Sequence, residues 1–173
     1  MEVYAWHFLP EDGCLRFPHG GVEKVPVFAG QKLEFKGELK MCEMGLHASR
    51  LPLDALKYAP GRRACRVLLE GALVEGVDKL CASERTCVAG PVDATRTLQE
   101  FAIWAAEWFL AKERGAGREP DPRSWKVAQV ARAYLAGAAT LDELQAAVAA
   151  AASAAAAATA SPTSRACAWA AAW

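Results

Sequence analysis

Residues 42–71 read CEMGLHASRLPLDALKYAPGRRACRVLLEG, and the order of elements in this stretch decides the fold. Met44-Gly45 turns the chain into a short strand, Leu46-His47-Ala48-Ser49. Pro52 then opens a short helix reaching Tyr58, because proline lacks an N–H that the first helical turn could not pair anyway. Pro60-Gly61 stops that helix. From Arg63 to Glu70 the chain alternates in the manner of a half-buried strand, the clearest strand in the sequence. Strand, short helix and strand within thirty residues place the chain in the α+β class, with a mainly antiparallel, twisted sheet in the N-terminal half.

Moving outward, Val3 to Phe8 alternates and ends at Pro10. Asp12-Gly13 has the composition of a hairpin turn leading into Cys14 to Phe17. Lys32 to Met41 alternates around Gly37 and is expected to form a hairpin of its own. Beyond the central stretch, Gly71 and Gly76 are expected to break the strand before Ala72-Leu73-Val74 and before a strand over Lys79 to Val88. On this strand pattern His7, between Trp6 and Phe8, is expected to point to solvent.

After Gly90-Pro91 the period changes from two to 3.6. Leu98, Phe101, Ala102, Ala105, Trp108 and Phe109 share one helical face, so a helix of about residues 93–113 is expected to bury that face against the sheet. Asp121 as N-cap with Pro122 behind it starts a second helix, which carries Trp125, Val127, Val130, Tyr134 and Leu135 and ends at Gly137. Thr140-Leu141-Asp142-Glu143 has capping-box spacing and starts a third. The expected division is an α+β domain over 1–114 and a helical, Ala-rich C-terminal region over 115–173.

Leu144 to Ser164 contains no charged residue, which is the length of a membrane span. Alanine gains almost nothing on entering hydrocarbon, and no basic cluster flanks the run, so a soluble alanine helix is expected instead. Ser161-Pro162 interrupts it, and Ala166 to Trp173 restarts a helix with Trp169 and Trp173 on one face. That pair reads as an anchor onto the body of the protein or as an oligomer or partner contact.

The whole chain has 173 residues, 20 Lys+Arg, 20 Asp+Glu and six cysteines. Twelve basic and twelve acidic residues lie in residues 1–91, and eight of each lie beyond, so neither half is a basic nucleic-acid arm or an acidic tail. The helix after Gly137 has the spacing of a second helix in a helix-turn-helix, but without Lys or Arg it cannot grip a phosphate backbone. Nucleic acid and membrane are therefore excluded as expected partners. Met1 is not followed by a charged and then an apolar segment, so a cytoplasmic setting with reduced cysteines is expected. No Cys-x-x-Cys pair occurs, and Cys42 with His47 lacks paired zinc spacing, so no metal is expected. The phosphate-loop, dinucleotide-loop and nucleophile-elbow patterns are all absent.

The runs Cys42 to Ser49, Pro52 to Leu56, Val67 to Gly71 and Asp78 to Ser83 resemble the C-x-x-G-[FL]-H-[AF]-[CS], P-L-D-x-L, Glu-x-Gly and D-K-[IL]-x-A-[ST] elements of an uncharacterised family of small phage and bacterial proteins, with Glu70 and Gly71 adjacent where the third element has a residue between. The resemblance covers most of residues 1–90. It implies association with a phage or mobile element and carries no activity with it. Gly45 to Ser49, Pro52 to Tyr58 and Cys65 to Glu70 also resemble, in their order, the ADP-ribosyltransferase fold. There a strand aromatic stacks on nicotinamide, a His or Arg binds the ribose, and a late-strand glutamate stabilises the oxocarbenium ion. His47 stands where the aromatic would be, and Glu84 is the candidate carboxylate without the usual preceding acid or amide.

The leading expectation is a non-enzymatic binding module of a phage or mobile element. It would contact a host or phage protein or hold a small ligand without a cofactor, in a setting such as interference with host defence. His47, Ser49, Arg63 and Arg66 are its candidate ligand-binding residues, the arginines because their forks suit phosphate oxygens. His47 reads equally as a hydrogen-bonded core histidine, Ser49 as a turn residue, and the arginines as a solvated strand end. The alternatives are an NAD-using enzyme with His47 and Glu84 as catalytic candidates, and an oligomeric assembly protein joined through the Ala-rich helices.

Overall fold

A computed structural model describes residues 2–15 and 24–157. Trp169, Trp173 and Cys167 lie outside the described residues, as does the expected helix restart at Ala166. Two compact units divide the chain, Met1–Thr95 and Arg96–Trp173.

In the first unit, β1 (Val3–Leu9), β2 (Lys32–Glu34), β3 (Leu46–Ala48), β4 (Arg63–Glu75) and β5 (Leu80–Asp93) form one antiparallel sheet among the described residues, with α1 (Pro52–Leu56) between β3 and β4. The class is α+β, as the sequence requires. β4 and β5 form a long hairpin that pairs Leu69 with Arg85 and Glu75 with Leu80. β1 adds to the far side of β4, pairing Val3 with Leu69 and His7 with Cys65. β3 pairs with the start of β5, setting His47 against Cys81, and β2 pairs with its middle, setting Leu33 against Arg85. Just beyond β3, Ser49 exchanges two backbone hydrogen bonds with Trp6, 2.7 and 2.9 Å long. The sheet therefore rolls until β1 meets the end of β3.

One side of this rolled sheet is the core. Val3, Ala5, Cys65, Val67, Leu69 and Cys87 are all buried there, five of them small or β-branched side chains or cysteines that pack closely between strands. The cysteines Cys14, Cys42, Cys65, Cys81 and Cys87 are free thiols.

Several local expectations change. Gly71 does not break β4. It sits inside the strand at φ +74°, where the pairing with β5 slips between Glu70 and Leu73, so the glycine makes a bulge. A Cβ there would lie 2.3 Å from Ser83 Oγ. β5 likewise continues past Val88 to Asp93. Lys32 to Met41 is not a hairpin, because β2 spends its backbone bonds on β5, while Lys40 bridges Met44 around Cys42 instead. Cys14 bridges Pro26 rather than folding back on β1.

In the second unit, α2 (Thr95–Gly115) begins where Asp93 Oδ1 accepts from the Thr95 N–H at 2.8 Å. Its buried positions are Ile103, Leu110 and Glu113, whereas Phe101 and Trp108 of the expected face are exposed. Glu113 is buried and pairs with Arg118 at 2.6 Å. α3 (Pro122–Leu135) starts at Asp121, whose carboxylate accepts from the Arg123 N–H. It ends in a Schellman turn, with Gly137 at φ +74° and Ala138 N–H donating to Ala133 O. α4 (Leu141–Ala157) opens with a reciprocal capping box, Glu143 N–H to Thr140 Oγ1 and Thr140 N–H to Glu143 Oε2. Among the described residues no helix is long and apolar enough to cross a membrane.

Candidate functional site

Strand parity brings three polar side chains of the first unit to one side of the sheet. Antiparallel partners share a face and successive residues alternate. Arg85 faces with its partner Leu69, and Leu69 with Val3, so His7, four residues after Val3, joins them. Cys81 is four residues before Arg85, and its partner His47 therefore faces the same way. His7, His47 and Arg85 line one cavity of about 360 Å³, together with Ser49. Trp6, Phe8 and Tyr58 contribute aromatic wall, and Cys42 and Lys79 also line it.

Arg85 is buried, at 4% exposure. Its Nη1 donates to the main-chain carbonyl of His47 at 2.7 Å. Burial pulls its pKa down to about 10, so the side chain is still charged at neutral pH, in an environment that resists the charge. His7 is held well below its usual 6.5, first by burial, then by the positive Arg85 and by His47. A hydrogen bond with the His47 main chain pulls weakly the other way. His7 thus stands neutral in the cleft, and the expectation that it faces solvent is corrected: the β1–β4 register turns it inward.

His47 Nε2 accepts from the backbone N–H of Cys42 at 3.0 Å, a contact that assigns the ring proton to Nδ1. This bond holds the Lys40–Met44 loop over the cleft. Cys42 adopts φ +70° at its tip, and Gly45 follows at φ +120°. Gly45 has no substitute there, since a Cβ would fall 2.4 Å from Cys81 Sγ. Lys79 Nζ lies 3.1 Å from Cys42 Sγ and 3.6 Å from the centre of the Tyr58 ring. The Cys42 contact raises the Lys79 pKa, so Lys79 is a firm positive charge at the cleft.

Of the residues expected from sequence, His47 and Ser49 line this cavity. Arg63 does not, and turns its Nε to the Glu11 carbonyl at 2.7 Å. Arg66 packs its guanidinium 5.0 Å from the Trp6 ring centre and 5.7 Å from that of Tyr4. Glu84 alternates with Arg85 to the opposite face and pairs with Lys32 at 2.6 Å. His47 and Glu84 therefore do not share a cleft. Arg85 and His7 are the residues that sequence reasoning missed. The signal for Arg85 was a charge on the same strand parity as Cys81 and Cys87, both apolar in character.

The chain matches no protein-family model, no curated protein and no solved structure.

Proposed function

We propose that this chain is a non-enzymatic binding module that holds a small ligand in the cleft of its first unit. The observation that carries this reading is the convergence of His7, His47, Ser49 and Arg85 on one aromatic-walled cavity of about 360 Å³. A few convergent polar groups in a concave, largely apolar space are the usual form of a small-molecule site, and this volume falls in the usual range. Binding is favoured over catalysis because the carboxylate that a glycosyl-transfer step needs, Glu84, is engaged by Lys32 on the far face. The likeness of Cys42 to Ser49 to phage and bacterial proteins supports a mobile-element setting for such a module.

The test is a nuclear magnetic resonance screen of the intact chain with small aromatic fragments, charged and neutral, and with NAD. The expected result is perturbation of the His7, His47, Ser49 and Arg85 amides, with α3 and α4 unmoved and NAD intact. Turnover of NAD, or fragments that leave those four amides unmoved, would overturn the reading.

A further inference from the structure

We infer that the ligand of this cleft is an oxyanion, a carboxylate or a phosphate ester, seated on Arg85; the inference rests on the cleft being a ligand site and adds its chemical class. Arg85 is one of the most buried polar groups of the first unit, at 4% exposure. Among the described residues no carboxylate forms an ion pair with it. Its hydrogen-bond acceptor is the His47 carbonyl, which takes one N–H of a five-donor fork and carries no net charge. Cys65 and Cys87 are the groups whose ionised forms would favour its charge, and burial pushes the Cys65 thiol up to about 12. A guanidinium kept from water without a compensating anion is strongly unfavourable. The cavity supplies the place for that anion, because Arg85 lines it.

The other groups of the cleft agree with this charge. His47 commits Nε2 to the Cys42 N–H. Lys79 brings a second positive charge, set against a thiol and a tyrosine ring. Glu43, the acidic residue of the lining, is exposed and pairs with Lys40 at 3.8 Å. An anion entering the cleft thus meets the positive charges of Lys79 and Arg85. The arginine fork accepts a carboxylate or a phosphate in the same two-point geometry. Trp6, Phe8 and Tyr58 offer apolar surface to the body that carries it.

The experiment is calorimetric titration of the full chain with three probes that share one ring: phenyl phosphate, benzoate and benzyl alcohol. The unaltered chain should take at least one of the two anions about tenfold or more tighter than the alcohol, and which anion wins tells phosphate from carboxylate. Arg85→Met should lose that preference. Arg85→Lys should keep part of the preference. If Arg85→Met does not fold, the three probes on the unaltered chain and on Arg85→Lys decide. Benzyl alcohol bound as tightly as both anions, or a preference that survives Arg85→Met, would overturn the oxyanion and leave the cleft as a site for neutral ligands. No binding of any probe would overturn both.

Discussion

The Arg85 guanidinium donates to the main-chain carbonyl of His47 across 2.7 Å, from the strand that pairs with β3 to the middle residue of β3 itself. β3 is three residues long, and its neighbour on the other side is the two-bond bridge between Ser49 and Trp6. The buried charge therefore helps to fix the strand that presents one histidine, while the register of β1 presents the other.

His7 makes the stability of the first unit depend on pH. Its pKa is lowered in the folded chain by burial, Arg85 and His47, from a value near 6.5 when unfolded. Below that pH the unfolded chain takes up a proton that the folded chain refuses. The stability is thus complete above about pH 6.5 and is lost as the pH falls toward the lowered value. Thermal melts at a series of pH values should show a falling midpoint below about pH 6.5, and His7→Gln should flatten that fall.

Gly45→Ala should damage both fold and cleft. The residue combines φ +120° with a Cβ position 2.4 Å from Cys81 Sγ and 2.8 Å from Leu39 Cδ2. Strain of this kind costs about 1–3 kcal/mol. Denaturant unfolding should show that loss, and the Cys42 amide, released from His47 Nε2, should exchange faster with solvent.

Glu84→Gln should leave the cleft unaffected. Its ion pair with Lys32 is partly exposed, with the two side chains 33% and 46% accessible, so its removal should change stability by less than about 1 kcal/mol. Fragment binding followed by resonance shifts should match the parent. A loss of binding in this variant would place the site on the wrong face of the sheet.

Thr140→Ala should act on α4 alone. The hydroxyl accepts the Glu143 N–H, and removing an N-cap of this type costs about 1 kcal/mol. Hydrogen exchange should speed up in the first turn of α4, while ligand binding by the first unit stays unchanged.

These residues also show how far the sequence could be read. The capping signals at Asp121-Pro122 and Thr140 to Glu143 are local, complete within four residues, and appear in the structure as read. His47 and Ser49 were legible because the turn, strand and helix around them have strong punctuation. His7 and Arg85 were not, because alternation tells which residues share a face and not which face is inside. Only the pairing of β1 with β4 and of β5 with β3 settles that, and pairing is non-local. Gly71 read as an end because a glycine in a bulge and a glycine in a turn look alike until the partner strand is known. On α2 the aromatic positions outweighed Ile103, Leu110 and Glu113 in the hydrophobic pattern, although these are the positions that are buried.

The central claim, that His7, His47 and Arg85 surround one anionic ligand, is tested most directly by the pH titration of the His7 ring, followed by its resonances with and without phenyl phosphate. The free chain should titrate His7 well below 6.5. Bound anion should offset the Arg85 charge and move that midpoint upward. A His7 ring that titrates at the same pH with and without saturating phenyl phosphate would contradict the account.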